Sequence, residues 1–365
     1  MGEKTDAENA ATPPEKKPAA QSADKPPTPP AGKPSTPSAP PKNIPLIRWQ
    51  RPMIVVLIAA APAAMSAVYR FGWRAMAVIA VTALTAFVAE WLFTRARKEP
   101  VSSAVFVTAV LLALTLPPTI PYWIAAVGAV VAICFGKELF GGFGRNIFNP
   151  ALVGRCFIYI CFPVAMTGRW AQAAAGPSGG FALWATKTID AVTAATPLDK
   201  WRLNADLTPY ADLLLGNRTG SLGETMAVAI LIGAAILLFT RVADWHIMLS
   251  CVLGALALGG IFKLAGLPGA PNPLWTVLAG GFLFGAVFMV TDPVSASRTP
   301  AGKWIYGALA GMLTVVMRRF GIFPEGMMFA ILLGNTFIPA IDIGVRGVMA
   351  SRKKPEPAPG KEAAA

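Results

Sequence analysis

From Met53 onward the sequence is a train of apolar runs separated by short polar punctuation. Each run is close to the ~20 residues that a helix needs to cross a hydrocarbon core of about 30 Å. A chain patterned this way has lipid as its solvent. Composition agrees: 55% of the 365 residues are hydrophobic and only 14% are charged, with a mean hydropathy of +0.54. That is too apolar and too charge-poor for a soluble protein of this length. The runs predict helices near 52–69, 73–94, 101–116, 120–136, 151–167, 224–240, 244–265, 273–291, 302–318 and 325–345. The expected fold class is therefore an all-α polytopic membrane protein with about ten transmembrane helices. Two runs are short and bounded by proline, LPPTIP between the third and fourth and FNPAL opening the fifth. Broken or re-entrant helices are expected there, which lipid tolerates only where protein covers the freed backbone.

Residues 1–45 are rich in Pro, Ala and Lys and hold no aromatic residue, so they are expected to form a disordered tail. The domain reading is this tail, a transmembrane domain over 46–346 and a second tail over 347–365. No signal peptide is visible, because the first forty-odd residues are polar. Loop charge orients the chain. With the tail on the cytoplasmic side, Arg95, Arg97, Lys98, Lys137, Arg145, Arg241, Arg298, Lys303 and Arg346 fall inside. Arg70, Arg74, Lys263, Arg318 and Arg319 fall outside. This positive-inside pattern predicts cytoplasmic termini and turns the one long connection, 168–222, outward. A connection of that length in a compact membrane protein is usually functional. A Gly-rich charged loop leads into FNPALVG after the fourth expected helix, and a polar loop, TDPVSASRTPAG, follows the eighth. Paired features of this kind suggest an inverted repeat.

The net charge of +13 could suggest nucleic acid. The basic residues, however, sit in short clusters between apolar runs and form no continuous stripe, so no nucleic-acid partner is expected. Cys134, Cys156, Cys161 and Cys251 lie in apolar segments with no CxxC pair, and His246 is the one histidine. Buried thiols are expected, without a metal or iron–sulfur site.

Three polar clusters carry candidate chemistry. DAVTAATPLDKW, Asp190 to Trp201, reads as a Thr-rich turn closed by Pro197. GKELFGGFGRNIFNP, Gly136 to Pro150, gathers glycines around Lys137, Glu138, Arg145 and Asn146. Glycine lets backbone N–H groups close on an anion or a flat ring, while the plainer reading is a tight loop between packed helices. Asp292 in VTDPVSASRTP and Asp342 in IPAID end long apolar runs. Carboxylates at membrane depth are functional candidates, with pairing to Arg298 or Arg346 as the competing reading.

Five segments, in this order, resemble the B subunits of the sodium-translocating NADH:quinone oxidoreductases and, more distantly, the D subunits of the related Rnf complexes. They are ALTLPPTIPYW (Ala113 to Trp123), GKELFGGFGRNIFNPALVGRCF (Gly136 to Phe157), DAVTAATPL (Asp190 to Leu198), FMVTDPVSAS (Phe288 to Ser297) and EGMMFAILLGNTFIPAID (Glu325 to Asp342). The resemblance spans roughly Arg51 to Arg346. It implies a scaffold resembling urea and ammonium channels, an inverted repeat, and a place in the bacterial cell inner membrane. It also implies an electron-transfer subunit of a translocase, an NADH:ubiquinone reductase coupled to Na⁺ export. Such a subunit works with partner subunits and quinone and is not catalytic alone.

In that family a dedicated flavin transferase esterifies FMN through its phosphate to the last threonine of a Ser/Thr-Gly-Ala-Thr motif. The matching stretch here is Thr193-Ala194-Ala195-Thr196. That makes Thr196 the implied FMN site, with Thr193 and Asp190 part of the motif and Lys187, Lys200 and Arg202 near enough in sequence to neutralise the phosphate. Ala194 departs from the family glycine. The family also holds a non-covalent riboflavin among its helices, for which Gly141, Gly142, Arg145 and Asn146 are the implied candidates. Asp292 and Asp342 match acidic positions linked to sodium movement. Ser102-Ser103-Ala104 departs from an acidic Asn-Glu-Gly expected before the third helix. The rival readings are a channel or solute transporter on the same scaffold without a redox role, and a structural subunit that has lost its flavin.

Overall fold

The structure, a computed structural model, describes residues 45–352 except 175, 177, 191–194, 205, 322 and 324. The tail expected over 1–45 thus lies almost wholly outside the described residues, as does the segment after 352. In an apolar medium the backbone must satisfy its own N–H and C=O groups, and the apolar runs accordingly fold as helices. In chain order these are α1 (Arg51–Phe71), α2 (Arg74–Arg97), α3 (Ala104–Leu114), α4 (Tyr122–Gly136), α5 (Pro150–Cys161) and α6 (Pro163–Thr167). After them come α7 (Pro197–Asn204), α8 (Tyr210–Leu215), α9 (Ala227–Phe239), α10 (Trp245–Leu264), α11 (Pro273–Leu278) and α12 (Phe282–Phe284). A π turn, Gly285–Met289, continues α12, and α13 (Pro300–Phe320) and α14 (Met327–Arg352) complete the order.

Every helix expected from the sequence has a helical counterpart. Among the described residues, five stretches are long and apolar enough to cross a membrane: Arg51–Phe71, Arg74–Arg97, Tyr122–Phe140, Trp245–Leu264 and Met327–Ser351. α3, α5 and α9 are apolar and shorter. Large apolar side chains such as Leu84, Phe239 and Leu264 point away from the protein, which suits lipid and not water. The chain is a helical, multi-pass membrane protein.

Departures from the expected pattern have local causes. The run expected over 151–167 divides at Pro163 into α5 and α6, since proline there takes the first turn of a new helix. The run over 273–291 breaks at Ala279–Gly281 and ends in the π turn, a device often found beside functional sites. α14 runs to Arg352, past the boundary expected at 346. Among the described residues, two small β pairs lie outside the all-α expectation. β1 (Ile47–Arg48) lies parallel to β2 (Val101–Ser102), and β3 (Arg169–Ala171) lies antiparallel to β4 (Thr188–Asp190).

Helix pairs approach through small residues, as expected where hydrophobicity does not distinguish a neighbouring helix from lipid. A Cβ on Gly154 of α5 would stand 2.5 Å from the Gly128 carbonyl oxygen of α4, and one on Gly311 of α13 would collide with the Cys251 carbonyl of α10. One contiguous apolar core runs through the bundle. A second, small cluster of Leu198, Trp201, Leu213, Trp275 and Ala279 fastens α7 to the end of the bundle.

Candidate functional site

Two places gather the polar groups singled out in the sequence. The first is a cavity where the 136–150 segment meets the turn after the π helix. Lys137, Phe143, Asn146 and Asn149 line it together with Thr291 and Asp292, against apolar walls that include Val107, Leu111 and Phe288. In the sequence the glycine-rich segment and Asp292 are separate candidates; the fold makes them one site. The enclosed volume is about 70 Å³, room for about five water-sized bodies. Gly141 and Gly142 take positive φ, 98° and 92°, and with Arg145 they turn the chain without lining the cavity.

Several charges here are buried in pairs. Lys137 Nζ lies 2.6 Å from Glu90 Oε2, with side chains only 2% and 1% exposed. Glu90 Oε1 accepts from the Ser102 backbone N–H at 2.9 Å. An acid of α2 therefore stands against the stretch where the sequence lacks the expected acidic residue. Glu138 pairs with Arg97. Asn149 caps α5, its Oδ1 accepting from Ala151 N–H at 3.0 Å, and its Nδ2 donates to the Met289 carbonyl at 3.3 Å. That carbonyl belongs to the π turn, so one amide joins a helix start to a helix irregularity. Asn146 Nδ2 donates to the Phe148 carbonyl at 3.1 Å. Asp292 accepts from Ser295 Oγ at 2.6 Å and from Val294 N–H at 3.3 Å. Asp342 lies elsewhere. It accepts from Ser297 Oγ at 2.6 Å, Thr299 Oγ1 at 2.7 Å and Arg298 N–H at 3.2 Å, holding α14 to the start of α13.

The second place is the platform carrying Thr196. The sequence suggests a turn closed by Pro197, but the structure starts a helix there. Pro197 is the first residue of α7, where a missing N–H has no consequence. Thr196 Oγ1 donates to Asp199 Oδ2 at 2.6 Å and accepts from Asp199 N–H at 3.3 Å, while Thr196 N–H reaches the same Oδ2 at 3.3 Å. This is a capping box with Asp in place of Glu. Leu198 and Trp201, one turn apart, enter the small cluster, and Trp201 Nε1 donates to the Gly269 carbonyl at 2.8 Å. Thr219 Oγ1 holds the Ala195 carbonyl at 3.1 Å. Thr193 and Ala194 lie outside the described residues; Asp190 closes the β4 strand opposite Arg169.

Beside Thr196 opens a polar recess of about 670 Å³, bordered by Ala195 and Pro197, the bases Lys200, Arg70 and Arg218, and the acids Asp206 and Asp212. Of the basic residues near in sequence, only Lys200 borders it: Arg202 donates to the Gly321 carbonyl, and the exposed Lys187 pairs its backbone carbonyl with Gln172. Arg70 and Arg218 come from distant positions and carry no local motif. Arg70 is 8% exposed; its Nη1 donates to Asn217 Oδ1 at 2.6 Å, and its Nε is buried with no hydrogen-bond partner among the described residues. Under the platform, Arg155 of α5 pairs with Glu325 and lies 3.6 Å from Glu224.

The sequence profile of the NQR2, RnfD, RnfE family matches residues 42–349. The chain belongs to that family. Among similar NQR2/RnfD/RnfE proteins, the Na(+)-translocating NADH-quinone reductase B subunit of Pseudomonas aeruginosa (strain LESB58) is 44% identical over 262 residues, 69% of this chain and 62% of that protein. The corresponding B subunits of Azotobacter vinelandii and Klebsiella pneumoniae (strain 342) are 41% and 39% identical over 275 and 282 residues, 73% of this chain and 65% of each relative. The chain thus spans less than two thirds of the length of the relatives it matches.

Proposed function

We propose that the chain is the electron-transfer subunit of a membrane NADH:quinone reductase that exports Na⁺, bearing FMN esterified to Thr196 and a riboflavin in the membrane-depth cavity. In this reading about ten helical stretches cross the bacterial inner membrane, arranged as an inverted repeat with cytoplasmic termini, and other subunits supply NADH oxidation. The observation that carries it is the setting of Thr196: a capping hydroxyl beside a polar recess that Lys200, Arg70 and Arg218 border, on a helix end anchored to the bundle.

The residues fit a phosphate-linked ring. Before attachment Asp199 accepts the Thr196 hydroxyl hydrogen and so aims the oxygen; that proton leaves when the ester forms, and Lys200 and Arg70 would then set positive charge near the anionic ester. Leu198 and Trp201 keep α7 from sliding. The flavin itself supplies one- and two-electron redox chemistry, and its tether removes the need for a diffusing carrier. In the cavity, Phe143 offers a flat wall and Asn146, Asn149 and Thr291 offer amide and hydroxyl groups for the polar edge of an uncharged ring. The small enclosed volume takes that edge, not a whole flavin. Quinone competes for the same kind of wall. Asp292, bordering the cavity, and Asp342 are assigned to the sodium path.

The test is co-expression with the flavin transferase, denaturation, and ultraviolet-excited fluorescence on a gel, with the mass of the peptide around Thr196. A fluorescent band with one added FMN on Thr196 is expected. A dark band with a bare peptide from the native host would favour a transporter or a structural role without flavin.

A further inference from the structure

A third recess, of about 810 Å³, opens where α9 ends and α10 and α13 begin, bordered by Arg241, Asp244, Trp245, His246, Arg298 and Lys303. Nothing in the flavin reading uses it. Its charges are unequally paired. Asp244 is its acid: it takes Lys303 Nζ and, at 2.7 Å, His246 Nδ1. Burial pushes the Asp244 carboxyl up, but the hydrogen bonds from Lys303 and His246 outweigh it and hold the group below the usual carboxylate range. Asp244 is therefore ionised and committed to its two neighbours. The guanidinium groups of Arg241 and Arg298 make no hydrogen bond or ion pair among the described residues, and both residues are exposed.

Arg241 has a φ of 56°. Its N–H donates to the Leu238 carbonyl at 3.1 Å and the Val242 N–H to the Leu237 carbonyl at 3.1 Å, the Schellman ending in which glycine is the usual residue. An arginine is thus kept where the backbone favours glycine. Aromatic rings frame the same opening: Trp245 stacks on His246 with centroids 3.9 Å apart and meets Trp304 edge-on at 5.9 Å. Below Trp245, Leu249 and Leu253 follow at four-residue spacing on one face of α10, all three exposed. Phe239, at the end of α9, is 88% exposed.

We propose that this recess binds the phosphodiester headgroup of an anionic phospholipid, with Arg241 and Arg298 on the phosphate, Trp245 and Trp304 at the headgroup level, and an acyl chain along Leu249 and Leu253. Unpaired cations above an apolar stripe, with indoles at the junction, match the polarity gradient of a lipid from head to tail. The site is independent of the flavin assignment.

Native mass spectrometry of the full chain, delipidated in detergent and titrated with phosphatidylglycerol or phosphatidylcholine, tests it. Phosphatidylglycerol is expected to bind at least tenfold tighter than phosphatidylcholine. Arg241→Gly, which relaxes the helix ending and so keeps the fold, and Arg298→Gln should each weaken phosphatidylglycerol several-fold. Lys98→Gln, at the similar ending of α2, should leave binding unchanged. Equal retention of the two lipids, wild-type binding by Arg241→Gly together with Arg298→Gln, or displacement of the lipid by millimolar inorganic phosphate would overturn the proposal. The last result would mean a free-anion site.

Discussion

The cavity between the 136–150 segment and the π turn and the Thr196 platform are made of similar residue types and built in opposite ways. In the cavity, the basic charge is closed on itself: Lys137 and Glu90 bury each other, and Asn149 ties one helix start to the carbonyl of a π turn, while Asp292 keeps hydroxyl and amide donors only. On the platform, charge is left open, with Lys200 at the lip and Arg70 Nε lacking a partner among the described residues. A buried polar group without a partner costs about 1–3 kcal/mol, so a site enclosed by protein pairs its own groups. The exposed Lys200 needs no protein partner, whereas Arg70 Nε, buried without one, bears that cost unless a ligand meets it. The closed site is suited to an uncharged ring and the open one to an anion.

That contrast can be broken most severely at Glu90. Glu90→Gln strands the Lys137 ammonium in the interior and should destabilise the protein by about 3–5 kcal/mol, read as a large drop in the thermal midpoint in detergent. Adding Lys137→Met should recover most of the loss. A midpoint unchanged in Glu90→Gln would mean that the site is open to water. At Thr196 the expected stability effect is smaller and the chemical effect complete. Thr196→Val removes the cap, costing about 1 kcal/mol, and should abolish the covalent flavin signal, whereas Thr193→Val should leave some of it. Arg70→Gln should cost about 1 kcal/mol for lost neutral-partner hydrogen bonds. It should leave FMN attached but loosen the ring, seen as lower fluorescence anisotropy of the native protein. Unchanged anisotropy would remove Arg70 from the recess chemistry.

The smallest effect separates the two aspartates. Asp342 accepts four hydrogen bonds from residues just before α13, whereas Asp292 keeps two local bonds and borders the cavity. Asp292→Asn should therefore shift the Na⁺ concentration for half-maximal turnover severalfold. Asp342→Asn should shift it less and instead lower the thermal midpoint by the equivalent of about 1 kcal/mol. The reverse order would place the cation at Asp342.

Much of the architecture was legible because lipid leaves so few choices. A run of about 20 apolar residues has to be a helix, and each expected helix is present, with departures at prolines such as Pro163. The capping box of Thr196 and Asp199 was also readable as Thr-x-x-Asp with apolar Leu198 within it and Trp201 after it, yet the run of threonines and alanines resembled a turn. Asn149 carried a signal too, an Asn-Pro pair before an apolar segment, which marks a helix start. Arg70, Arg218 and Glu90 carried none, because each acts through partners 12 or more residues away or lies beside a recess formed by distant segments.

The sequence by itself determined the apolar helices and their approximate ends, while the helix start at Thr196 passed for a turn. Hydrophobic length and capping are local properties that need no partner. Tertiary structure alone decided that Asp292 shares a cavity with Asn146 and Asn149, that Lys137 is neutralised by Glu90, and that Arg70 stands beside Thr196. Burial and charge pairing depend on which side chains the packing of distant helices brings within a few ångströms, and no linear spacing records that.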